Sequence, residues 1–144
     1  MTTPARRDID VLSFGESLID FLPDRRGVPL SQVESFRKVV GGAPTNLAVG
    51  LGRLGRPSAL LGKIGDDEFG EFIVEALAEA GVETSGISRT DRARTGLAFV
   101  ALDERGDRSF LFYRNPSADE LLRPEDIDAS LIECSRILQV GSNM

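Results

Sequence analysis

The 144-residue sequence contains no histidine. That absence removes Ser-His-Asp and Cys-His nucleophile systems and histidine-ligated zinc. Its one cysteine, Cys134, can form neither an intrachain disulfide nor a thiolate zinc site, a usage that fits a reducing cytosol. No run of about 18 apolar residues occurs, so no membrane span is expected. The opening MTTPARRDID has basic residues but no apolar stretch behind them, and it does not read as a secretory signal. The chemistry open to this chain therefore rests on carboxylates, arginine, backbone N–H groups and a borrowed cofactor.

What is present has the composition of one globular domain, with 41% hydrophobic and 28% charged residues. The formal net charge is −6, from 23 acidic against 17 basic residues. An acidic chain without a basic stripe suits neither nucleic acid nor an anionic lipid surface.

The pattern along the chain alternates strands and helices. IDVLSF (9–14) reads as a buried strand broken by Gly15, and LIDFL (18–22) as a second strand ended by Pro23. SFRKVV (35–40) is extended and stops at Gly41 and Gly42. Pro44 reads as the first helical position, with Leu47, Ala48, Leu51 and Leu54 at helical spacing and Gly55 as the stop. SALLGKI (58–64) returns to strand. Asp66 or Asp67 then caps a helix whose apolar stripe is Phe69, Phe72, Ile73, Ala76, Leu77 and Ala80. Strands at 95–102 and 108–114 flank DERGD as a hairpin, and a last helix is expected from Pro124 to about Cys134 before the strand 136–140. This order argues for a mostly parallel α/β sheet flanked by helices, with a small antiparallel β flap outside it. The last strand is apolar and only four residues follow it, so the fold is expected to be incomplete at its C-terminus.

Several motifs bear on chemistry. GLGRLG (50–55) matches the dinucleotide pattern G-x-G-x-x-G, which would imply a nicotinamide oxidoreductase. That pattern needs a strand before it and a helix after it, whereas here a helix runs through it; small residues packing closely on the sheet explain it better. GGAPTN (41–46) joins two glycines to a helix start, whose first N–H groups can face a ligand, and Asn46 adds an amide that donates and accepts. A plain Gly-Gly turn with a helix cap remains the alternative. Asp20 can accept bonds from two adjacent hydroxyls, or be a solvated strand-end aspartate. Asp66 and Asp67 suggest a metal, but their place before an apolar helix favours capping. Arg114 is in phase with Phe112 and Phe110 on one strand face, reaching a ligand or projecting to solvent.

GGAPTNLAVGLGRLG followed by RPSALLGKIGDDEFG resembles the first signature of ribokinase-like (PfkB-type) sugar kinases, with Gly41, Gly42, Pro44, Asn46, Ala48, Gly55 and Gly65 in its positions. VLSFGESLIDFLP and ARTGLAFVALDERGDRSFLFYRNPSADELL resemble fructokinases in particular, and the resemblance runs from about Ile9 to Ser142. It implies that residues 1–144 are the N-terminal, sugar-binding part of a kinase domain, with the flap at about 18–40 and 95–114. It also implies that Asp20 grips sugar hydroxyls, that Gly41 and Gly42 form a hinge beside the sugar, and that Asn46 is its amide partner. Phe99, Phe112 and Arg114 are the implied flap side chains facing the ligand. Relatives acting on 2-keto-3-deoxygluconate tend to have tyrosine at the position of Phe112, so its absence leans toward fructose. The family's catalytic aspartate lies in a Gly-Ala-Gly-Asp motif that does not occur here. ATP and Mg²⁺ are implied for the complete enzyme, with their sites outside this chain and with the chain alone inactive. A cytoplasmic homodimer joined through the flap is also implied. The alternatives are another PfkB sugar kinase, such as one for 2-keto-3-deoxygluconate, and a non-catalytic sugar-binding module.

Overall fold

A computed structural model describes residues 8–141. The basic N-terminal stretch through Arg7 and the residues after Gly141 lie outside the described residues.

The interior is organised by strand β4 (Ser58–Gly65), all eight residues of which are buried. It pairs in parallel with β1 (Ile9–Phe14) on one side, and β1 pairs in parallel with β9 (Ser135–Val140). On its other edge β4 meets β5 (Val82–Glu83) and, further along, β6 (Ile87–Thr90), again in parallel. The two faces of β4 carry different layers, as the two-residue side-chain period requires. Leu60 and Ile64 pack with Ala48 and Val49 of α1 (Ala43–Arg53) and with Ile73 and Leu77 of α2 (Glu68–Glu79). Ala59 and Leu61 face the opposite way, toward Leu12, Ile127 and Leu131. Each buried Leu or Ile side chain contributes about 1.5–3 kcal/mol of transfer free energy.

Lys63 shares the face of Ala59 and Leu61, and its Nζ donates to Asp126 Oδ2 at 2.6 Å. That contact explains a departure from the helix expected over 124–134. Asp126 is held by Lys63 and by the Arg123 N–H (2.8 Å), so Pro124–Asp126 forms a separate 3-10 turn. Ile127 is extended, and Asp128 then caps a new, five-residue helix, α3 (Ala129–Glu133), by accepting from the Ser130 N–H.

The second sheet has the strand order β3 (Phe36–Gly41), β2 (Leu18–Pro23), β7 (Leu97–Leu102), β8 (Arg108–Tyr113). This flap is mixed, not purely antiparallel: β2 and β7 run parallel, because the α/β core intervenes between them and returns the chain to the same side. Its outer pairs, β2–β3 and β7–β8, are antiparallel hairpins as expected. β5 and β6 are additional strands; β5 is two residues long and β6 reads ISRT, too short and too polar to announce themselves. Pro44 occupies the second helical position, not the first, since Ala43 begins α1. No helix among the described residues is long and apolar enough to cross a membrane.

Candidate functional site

The two faces of the flap differ in kind. On one, Phe21 stacks on Phe99 (centroids 4.8 Å) and meets Phe36 and Phe69 edge-on, while Tyr113 closes against Phe99. Phe69 belongs to α2, so this aromatic layer fastens the flap to the core. On the other face, Asp20 lies level with Ala98 and Phe112, and Val100 with Phe110. Asp20, Val100, Phe110 and Phe112, with Leu18, Leu22, Arg108 and Arg114, roof a cavity of about 460 Å³ whose floor is Glu16, Gly42, Ala43 and Asn46.

Gly41 and Gly42 shape the floor for separate reasons. A Cβ on Gly41 would fall 2.5 Å from Asp20 Cγ, so the carboxylate packs directly on the bare backbone. Gly42 has φ +102° and caps α1, and a Cβ there would lie 2.5 Å from the Glu16 carbonyl oxygen. Glu16 supports this corner: its Oε1 accepts from the Ala43 N–H at 3.4 Å, and its carbonyl accepts from the Thr45 hydroxyl at 3.1 Å.

Asp20 carries the distinctive electrostatics. No side-chain or backbone donor among the described residues hydrogen-bonds its carboxylate, and burial raises its pKa above the ordinary value of 3.8, partly offset by the Arg108 guanidinium. Arg114 is the reverse case. Its guanidinium is paired with Asp119 and donates through Nε to Ser117 Oγ at 3.2 Å. Both partners are buried, so Arg114 is a fixed wall of the cavity whose charge is already answered.

Of the residues singled out from sequence, Asp20, Gly42, Asn46, Phe112 and Arg114 line the cavity, and Gly41 lies beneath Asp20. Phe99 does not reach it. Register places Phe99 level with Phe21 and Leu111, on the aromatic face, one residue out of phase with the cavity. Glu16 and Arg108 also line the cavity, and sequence reasoning missed them. Arg108 is in phase with Phe110, Phe112 and Arg114 and was readable by that alternation; Glu16 meets α1 across 27 positions and had no local signal. GLGRLG lies in α1 and its exit: a Cβ on Gly52 would be 2.3 Å from the Ala80 carbonyl oxygen, so the glycine serves close packing. Asp67, not Asp66, caps α2.

The model of the pfkB family of carbohydrate kinases matches residues 8–144. The chain is 48% identical over 132 residues to probable fructokinase-3 of Arabidopsis thaliana, covering 92% of this chain and 38% of that relative. It is equally identical to a fructokinase of Solanum tuberosum, covering 92% and 41%. Among solved structures, fructokinase from Xylella fastidiosa is similar with a TM-score of 0.80 at 45% identity, over 91% of this chain and 40% of that one. An uncharacterized sugar kinase from Pyrococcus horikoshii, solved in complex with ATP, gives 0.85 at 39% identity, over 91% and 42%. The chain thus spans about 40% of the length of these relatives.

Proposed function

Because the chain belongs to the pfkB family of carbohydrate kinases, we propose that it supplies the sugar-binding part of a cytoplasmic, ATP-dependent kinase that converts fructose to fructose 6-phosphate. The observation that carries this reading is Asp20. A half-buried carboxylate that faces a cavity with no donor among the described residues is an acceptor awaiting hydroxyl groups. Two adjacent sugar hydroxyls would donate to it, Asn46 would reach a further hydroxyl, and Phe110 and Phe112 would cover the apolar face of the ring. Arg114 is already paired with Asp119 and would serve as a wall of the sugar pocket, not as its charge partner.

Phosphoryl transfer depends mainly on positioning and charge stabilisation, with a general base adding about 10²–10⁴-fold. In this proposal residues 1–144 do the positioning of the acceptor. We assign the base and the sites for ATP and Mg²⁺ to none of these residues, and we expect no sugar turnover from this chain alone. The exposed Phe110, Leu111, Phe112 and Tyr113 of β8 would be the surface through which two copies pair.

The test is a fructose titration of the ¹⁵N-labelled chain. Saturable shifts of the Gly41, Gly42 and Asn46 amides, lost in Asp20→Ala, are expected. A titration that moves none of them overturns the proposal.

A further inference from the structure

We infer that Asp67 is a positioning residue for the sugar site, acting by pinning the flap strand β7 to the core; the inference rests on the sugar-binding reading above. One carboxylate makes two sets of bonds. Its Oδ1 accepts from the Phe69 N–H (3.1 Å) and the Gly70 N–H (2.9 Å), which starts α2. The same oxygen accepts from the Thr95 hydroxyl (2.8 Å), and Oδ2 accepts from the Thr95 N–H (2.8 Å). The buried Thr95 hydroxyl in turn accepts from the Gly65 N–H at 3.0 Å, closing a loop between the end of β4 and the entrance to β7.

The crossing is built tightly. A Cβ on Gly65 would sit 2.4 Å from Asp67 Oδ2 and 2.5 Å from the Thr95 nitrogen. One residue beyond Thr95, the Gly96 carbonyl accepts from the Ile19 N–H at 3.0 Å, and Ile19 precedes Asp20. The position of Thr95 therefore sets where β7 lies against β2, and with it the level of Asp20 opposite Ala98 and Phe112. A second route runs through the helix that Asp67 caps, because Phe69 in its first turn packs on Phe21, Asp20's neighbour. Asp67 thus governs the site from outside the cavity, touching none of its lining residues.

Asp67→Asn separates the two roles. The amide oxygen keeps the bonds to Phe69 and Gly70, while the amide nitrogen faces the Thr95 N–H, donor against donor. Thr95→Val removes the hydroxyl from the other side, and Thr95→Ser restores it. The measurements are amide hydrogen exchange across residues 97–113 and fructose affinity, both on the 144-residue chain. Expected are exchange about tenfold faster in β7 and β8 for Asp67→Asn and Thr95→Val, and a similar weakening for fructose, with unchanged protection in β4 and recovery of both in Thr95→Ser. Flap exchange like that of the unmodified chain in both variants overturns the anchor. So does an equal loss of protection in β4, which marks Asp67 as a plain stability residue. If the unmodified chain binds no fructose, the sugar-binding reading fails, while the exchange measurement still decides the anchor.

Discussion

Gly41→Ala is the sharpest test of how the site is built. The backbone at Gly41 is ordinary strand, paired with Leu18, so alanine introduces no torsional strain. The whole effect is steric and falls on one group. The new Cβ would lie 2.5 Å from Asp20 Cγ and Oδ2 and 2.6 Å from Oδ1, so the carboxylate must swing away from the diglycine floor. A hydrogen bond to a charged group is worth about 1.5–3 kcal/mol. Losing two hydroxyl bonds at the lower end costs about 3 kcal/mol, or more than about 100-fold in Kd. Folding should change little, since Gly→Ala lowers the entropy of the unfolded chain by only about 0.4–1 kcal/mol. Calorimetric or NMR titration with fructose, beside a thermal melt, separates the two effects. Asp20→Ala should cost as much affinity by itself, and the double variant should cost no more, because the alanine acts only through Asp20. Fructose binding by Gly41→Ala at the unmodified affinity refutes the reasoning. Fully additive losses in the double variant refute it equally.

Three further outcomes follow from the same geometry. Fructose affinity should fall on acidification from a higher pH than an ordinary aspartate would give, because burial raises the Asp20 pKa and only the ionised form accepts two hydroxyl bonds; titrations that stay flat down to the ordinary 3.8 contradict this. In the GLGRLG segment, Gly52→Ala should lose about 1–3 kcal/mol of stability by driving α1 off the Ala80 carbonyl, whereas Gly50→Ala, with open space around it, should gain about 0.5–1 kcal/mol; denaturant melts check the opposite signs. Arg114→Met should cost about 3–5 kcal/mol by leaving the buried Asp119 uncompensated, and adding Asp119→Leu should recover much of it, which chemical denaturation will show.

Legibility of the fold from the sequence followed the range of the forces involved. Helix α2 was readable because both its signals are local: Asp67 at the cap, and Ile73 and Leu77 in a 3.6-residue stripe. The outward face of β8 was readable by alternation through Phe110, Phe112 and Arg114. Phe99 went astray because alternation says only that successive side chains differ in face. Which face meets the cavity is set by register, and Phe99 is level with Leu111, not with Phe112. The break at Ile127 was hidden for a similar reason. Asp126 is drawn to Lys63, 63 positions earlier, and no local pattern announces that pull. The parallel β2–β7 pairing depends in the same way on how the chain returns from the core.

The chain passes between the flap and the core at the ends of β2, β3, β7 and β8. At such seams the backbone leaves both hydrogen-bond ladders, and its N–H groups need acceptors that neither sheet provides. Carboxylate oxygens can accept such bonds, and this chain places them at these crossings. Glu16 accepts from Ala43, where β3 gives way to α1. Asp67 accepts from Thr95 at the entrance to β7. Glu120 accepts from the Ser117 N–H at the exit from β8. Asp20 is at the same boundary and differs from these three in having no protein donor among the described residues, with its pKa raised where Asp67's hydrogen bonds outweigh burial and lower its own. Glu16, Asp67 and Glu120 tie the backbone at these crossings, and Asp20, which no donor among the described residues reaches, faces the cavity. That contrast between Asp20 and its neighbours, more than any single motif, is the physical ground for the proposed sugar site.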